Sequence, residues 1–274
     1  MIKWCEITDA PGSTRFRFLD EELKRAGLET EFSSAVANES SLPEVLEHAL
    51  QTQNQIRVSG RLSSSVLAQL PRLPSSILSL KACDSLVCDK GEWWPRFFLV
   101  EGLNQTIAMD ASALDLTGSV LILGASAEAR AAVAALSRIG FNKMIVSSPR
   151  ENEGEAFVED LRRSYFGIKF QVVARNAVTQ LPGVCSIAVN TLSRLEDAES
   201  ISELAYFNFL KPNGFWLDLT LSPRNASLES EALSVGAAVV SGAKAIALTD
   251  KLWAESVFKT SIDLDSYAAR LAEM

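Results

Sequence analysis

Val120-Leu121-Ile122-Leu123 is an apolar run with no polar face, and such a run suits a strand buried on both sides. Gly124 and a helical stretch through Ile139 follow it, giving strand, tight turn and helix. The unit recurs as a strand at 143–146 with a helix near 153–164, strands at 170–173 and 186–190, a strand at 214–218 with a helix near 228–234, and a strand at 238–241. Strand-helix alternation at this spacing predicts a doubly wound parallel sheet. The first hundred residues alternate more loosely. They read as strands at 2–8, 30–36 and 55–58 and helices at 16–26, 43–53 and 62–70, with Gly27 ending the first helix and Pro43 in the first turn of the second. Residues 82–88 and 92–100, joined by Asp89-Lys90-Gly91, read as a β-hairpin because the turn residues sit between two apolar stretches. The tail, about 243–273, is mostly helical.

At 274 residues the chain has room for two cores of this kind. The expected fold class is therefore α/β in two domains: an N-terminal α/β domain and a Rossmann-like doubly wound parallel sheet domain. A composition of 47% hydrophobic and 22% charged residues is ordinary globular usage. The formal charge of -8 sets the whole-molecule field against polyanions, so neither nucleic acid nor an anionic membrane surface is expected as a partner. Cys5, Cys83, Cys88 and Cys185 form no paired metal-ligand spacing and read as reduced core thiols. His48 is the only histidine, which excludes multi-histidine metal sites, and no metal is expected. The N-terminus has no apolar signal core and no run approaches the roughly 18 apolar residues of a membrane span, so the cytoplasm is the default location.

Candidate chemistry begins at the first turn of the second half. Gly124, Ser126 and Ala127 lie where a dinucleotide fingerprint belongs, with backbone N–H groups and a helix dipole facing a pyrophosphate. Ser126 replaces the glycine that normally bares the backbone, and Glu128 adds a carboxylate to the helix terminus where it opposes a phosphate. After the next strand, Ser147-Ser148-Pro149-Arg150 lacks the acidic residue that grips an adenine-ribose hydroxyl. Ser148 and Arg150 there favour NADP if a dinucleotide binds; the other reading of Arg150 is a solvated loop charge.

Residues 118–150, with Ala129-Arg130-Ala131 in the helix, resemble the cofactor segment of the shikimate dehydrogenase family, as do the total length and domain order. The resemblance implies a substrate-type domain over 1–103 plus about 245–274, and an NADP-type domain over 104–244. It also implies reversible oxidation of a ring hydroxyl of shikimate or quinate with hydride passed to NADP or NAD, a place in aromatic amino acid biosynthesis, and a homodimer. Its Ser-x-Ser-Pro carboxylate-binding motif is similar to Ser13-Thr14-Arg15-Phe16, where Arg15 offers a bidentate fork in place of the second serine. The stretch carrying its catalytic lysine resembles Ile56-Arg57-Val58-Ser59-Gly60-Arg61, which puts Arg61 in the lysine's place. An arginine stays charged, so it orients an anion but does not exchange a proton near neutrality. Asp84 stands for the family's substrate-binding asparagine and Glu101 for its catalytic aspartate. Asn190 and Thr191 resemble the motif that approaches the nicotinamide half, Gly242 opens the turn that follows, Leu221 replaces a tyrosine, and Thr249 stands where a substrate-binding glutamine belongs. The aromatics of 93–98 either fill the site or wall it. Lys244 is an added cation, or a surface lysine in a first helical turn.

Two functional readings remain open on the sequence. The first is an NADP-linked oxidoreductase of the shikimate dehydrogenase type acting on a small carboxylated substrate, with Arg61 and Glu101 as its catalytic pair. The second is a non-catalytic protein that keeps the fold and binds another small ligand or a protein partner.

Overall fold

In the computed structural model, all residues are described except 11, 60, 112, 193–203 and 222–225. The chain divides into two compact units, Met1–Gly102 with Ala247–Glu273, and Leu103–Ile246 with Met274.

The first unit is built on a five-stranded sheet ordered β2-β1-β3-β4-β5: β1 (Ile2–Thr8), β2 (Thr30–Val36), β3 (Gln55–Val58), β4 (Ser85–Asp89) and β5 (Glu92–Arg96). The first three strands are parallel, and β4 and β5 form an antiparallel hairpin in which Asp89 pairs with Glu92 across the two-residue turn. Between the strands run α1 (Thr14–Arg25), α2 (Leu42–Thr52), the single turn α3 (Leu62–Ser65) and α4 (Ser75–Leu80). Helix α1 starts where Ser13 Oγ accepts the Phe16 N–H, and its buried face carries Phe16, Leu19 and Leu23. Trp4 lies fully buried against Phe16 and Trp253, and its indole N–H donates to Asp20 at 2.9 Å.

The structure departs from the expected elements in two of these places. The helix expected over 62–70 stops after α3 and continues as a 3-10 turn, Val66–Gln69. The strand expected over 92–100 ends at Arg96, and α5 (Phe98–Asp110) begins two residues later. The cause is Asp84, whose carboxylate accepts the N–H groups of Phe98 (3.1 Å) and Leu99 (2.8 Å) and so caps a helix that the continuous apolar stretch conceals. Helix α4 was not anticipated.

The second unit carries β6 (Ser119–Leu123), α6 (Ala127–Ile139), β7 (Lys143–Ser147), α7 (Glu151–Arg162), β8 (Lys169–Val172), β9 (Cys185–Asn190), β10 (Leu210–Asp218), α8 (Ala226–Ser234), β11 (Ala238–Val240) and the start of α9 (Gly242–Phe258). Its six strands are ordered β11-β10-β9-β6-β7-β8 and are all parallel. The chain winds outward from β6 through β7 to β8, then returns to β9 on the other side and winds outward again. Such a switch between β6 and β9 leaves a crevice at the carboxyl ends of the two strands, the usual ligand position in open α/β sheets. Leu121, Leu123, Ala188 and Trp216 belong to the core beneath it. The remainder of α9 and α10 (Leu264–Ala272) belong to the first unit. Among the described residues no helix is long and apolar enough to cross a membrane, and no histidine, cysteine and carboxylate cluster fit for a metal ion is present.

Candidate functional site

In the second unit, the turn after β6 is shaped by close contact. Gly124 has φ +111°, and a Cβ there would meet Thr191 Oγ1 at 2.3 Å, so both backbone conformation and space demand glycine. Thr191 donates its hydroxyl to the Leu123 carbonyl (2.7 Å), and Ser126 Oγ lies 3.4 Å from the same Thr191 oxygen. Ser126 also caps α6 by accepting the Ala129 N–H at 3.3 Å, with Ala127 opening the helix. The serine that replaces the second fingerprint glycine thus has a structural task in the turn. Glu128 sits half-buried in the first turn of α6. Asn190 ends β9 fully buried, its amide donating to the Leu192 carbonyl (3.0 Å) and to Asp218 Oδ1 (3.1 Å), which joins β9 to β10. Gly242 is required by contact, since a Cβ would stand 1.7 Å from the Asp218 carbonyl. Ser148 is buried after β7, whereas Arg150 is 67% exposed and paired with Glu153 one helical turn on. Lys244 is paired with Asp110 at 2.6 Å.

The first unit holds a buried charge cluster that the sequence did not reveal. Arg15 Nε and Nη2 donate to Asp250 Oδ2 (2.8 Å) and Oδ1 (2.6 Å), so the bidentate fork anticipated for a ligand carboxylate grips a carboxylate of the chain itself. Arg57 Nη2 lies 3.1 Å from Asp250 Oδ1, and the Tyr267 hydroxyl donates to Oδ2 at 2.9 Å. Arg57 is 1% exposed, with its guanidinium carbon 5.2 Å from the Phe16 ring centre and 5.1 Å from that of Trp253. Burial works against the charge on Arg15, yet Asp250, helped by Tyr267 and Asp84, holds its pKa above the ordinary guanidinium value. Burial, then the Asp250 charge, pushes the Tyr267 hydroxyl well above the ordinary phenol value. The one available sequence signal was Asp250, a charge on the apolar helix segment from Ala245 to Trp253.

A second buried carboxylate, Glu6, lies near the end of β1. It accepts from Ser59 Oγ (2.6 Å) and the Ser13 N–H (3.0 Å), with Ser34 Oγ at 3.5 Å. The other candidates in this unit are placed as follows. Asp84 caps α5, Thr249 is buried beside Asp250 in α9, and Glu101 is exposed in the first turn of α5. Arg61 is exposed before α3, its backbone N–H 3.4 Å from Asp9 Oδ2. Trp93 and Trp94 are half-buried, with the Trp93 indole donating to the Leu50 carbonyl at 3.2 Å. All four cysteines are free, and burial followed by the neighbouring Glu6 pushes the Cys5 thiol up to about 12.

The chain matches solved structures of known enzymes over its whole length. A quinate dehydrogenase from Corynebacterium glutamicum, solved with NAD, matches with TM-score 0.84 over 100% of this chain and 99% of its own, at 15% identity. The fold is that of the shikimate dehydrogenases. A shikimate 5-dehydrogenase from Thermus thermophilus, solved with shikimate, matches with TM-score 0.78 over 100% of both chains at 18% identity. The ligand-free form of a 5-ketofructose reductase of Gluconobacter sp. strain CHM43 matches with TM-score 0.78 over 99% of this chain and 98% of its own at 15% identity. No family model and no curated protein matches the sequence.

Proposed function

We propose that the chain is a dinucleotide-linked oxidoreductase of the shikimate dehydrogenase type, with NADP as cofactor. The observation that carries the reading is the Gly124 turn, which delivers the N-terminus of α6 to the switch point of a six-stranded parallel sheet. The residues offered to a dinucleotide are Ser126 and Ala127 at the pyrophosphate, Ser148 and Arg150 at the adenine ribose, and Thr191 and Gly242 toward the nicotinamide, with Asn190 holding β9 to β10 beneath them and Glu128 the one adverse charge in the same helical turn. Arg150, exposed and paired with Glu153, is accessible to a 2′-phosphate. When bound, the cofactor supplies the hydride acceptor or donor for a carbon bearing a hydroxyl. On the protein side, Glu101 is the residue able to take or return the hydroxyl proton, and Arg61, permanently charged, orients the oxygen. The likeness of fold does not entail shikimate as substrate, since a reductase named for 5-ketofructose matches this chain as well.

The second reading, a non-catalytic protein on this fold, is favoured by Arg15, whose fork is already filled by Asp250. Calorimetric titration with NADP and with NAD, on protein first checked for retained cofactor, decides between them. Saturable binding, tighter for NADP, is expected. No binding of either at millimolar concentration sinks the oxidoreductase reading and leaves the second.

A further inference from the structure

The first sheet has its own switch point. From β1 the chain passes to β2 on one side and β3 on the other, so the carboxyl ends of β1 and β3 are a second ligand position by the same topological rule. Ser13 follows β1 and Ser59 follows β3, and both are half-buried above the fully buried Glu6. These are the surroundings in which the oxidoreductase reading places its substrate.

A carboxylate entering there needs donors that it can reach; among the described residues the buried Arg57 Nε and Nη1 have no partner but are enclosed, and most of the others are already used. The Ser13 N–H and the Ser59 hydroxyl are donated to Glu6. Arg15 spends its bidentate edge on Asp250, and Arg57, also on Asp250, is closed off between Phe16 and Trp253. The charges are adverse as well. With the proposed pair Glu101 and Arg61 included, Glu6, Asp84, Glu101 and Asp250 set four carboxylates against the guanidiniums of Arg15, Arg57 and Arg61, and a further carboxylate would add to that excess. Acceptors, by contrast, are available. With its proton turned to Glu6, Ser59 Oγ presents lone pairs, which take a hydrogen bond from a ligand hydroxyl.

We infer that the substrate of this chain is an uncharged polyhydroxylated molecule, with Asp250 occupying from within the fold the Arg15 site that would otherwise receive a substrate carboxylate. The inference rests on the proposed oxidoreductase function for its site and goes beyond it in naming the substrate class.

The test is a set of calorimetric titrations of the full-length protein, with and without NADP, using shikimate, its methyl ester, fructose and myo-inositol. Shikimate and its ester differ in the charge that Asp250 is argued to exclude. The expected result is that the methyl ester or one of the neutral polyols binds at least about tenfold more tightly than shikimate. Shikimate binding as tightly as the neutral probes overturns the inference, and so does no neutral probe binding at all. Failure of NADP binding is read in the same instrument and counts against the oxidoreductase function separately. A variant, Asp250→Asn, releases the Arg15 charge while keeping an amide oxygen in place. Shikimate affinity is expected to rise at least about tenfold in it, with the methyl ester little changed. If the variant does not fold, the wild-type comparison of acid with ester still decides.

Discussion

Asp250 is a fully buried carboxylate held by two arginines and a tyrosine, and the energetic asymmetry of buried ion pairs sets what its removal does. Replacing a whole buried ion cluster by apolar groups is often neutral, but removing one partner strands the others. Asp250→Ala leaves Arg57, at 1% exposure, with no carboxylate, and leaves Arg15 facing it. The expected cost is about 3–5 kcal/mol, read as a drop in the urea midpoint at unchanged slope. A loss below about 1 kcal/mol would mean that solvent reaches the cluster. This residue-scale chemistry was the least legible part of the sequence. Arg57 lies in a four-residue strand, where a lone arginine reads as the exposed face, and its partner is 193 positions away. Arg15 reads as a carboxylate fork, but nothing local in the sequence points to a carboxylate from α9.

At the scale of elements, Asp84 shows why helix starts are harder to read than strands. The strands at 2–8, 30–36 and 55–58 are read from short segments between turn and helix signals, and the turn between β4 and β5 from its Asp-Lys-Gly residues. The start of α5 does not, because its cap precedes Phe98 by 14 residues and reaches it from the beginning of β4. Any rule that searches for a cap immediately before the first helical residue misses such a long-range cap. Asp84→Ala removes the acceptor for both first-turn N–H groups and is expected to cost about 1–2 kcal/mol, with Asp84→Asn, which keeps one acceptor oxygen and sets its NH2 against the other N–H, recovering at most about half of it. Chemical denaturation of the two variants checks this. Full recovery in Asp84→Asn would show that a single accepted N–H suffices to start α5. The parallel sheet was the most legible element set, since buried aliphatic strands alternating with helices leave few other arrangements.

For the molecule as a whole, chain order and compact units do not coincide. The second unit is continuous, and its six parallel strands enclose a core that includes Leu121, Ala188, Trp216 and Leu228 without help from either end of the chain. The first unit is assembled from both ends. Trp4 packs on Trp253 at 5.1 Å, Arg15 and Arg57 close on Asp250 with Tyr267, and Arg270 lies 4.2 Å over Phe18 while pairing with Glu21 and Glu22. A fragment ending at residue 102 therefore exposes Trp4 and strands two arginines, each a cost that a small core tolerates poorly. A fragment of residues 98–246 keeps α5 whole and retains every strand of the larger sheet. It is expected to fold alone with a cooperative thermal transition and dispersed amide resonances, whereas residues 1–102 gain such dispersion only when residues 247–274 are supplied. Independent folding of 1–102 would show that the tail decorates the first unit. Failure of 98–246 to fold would show that the larger sheet, though continuous in sequence, needs the first unit for its stability.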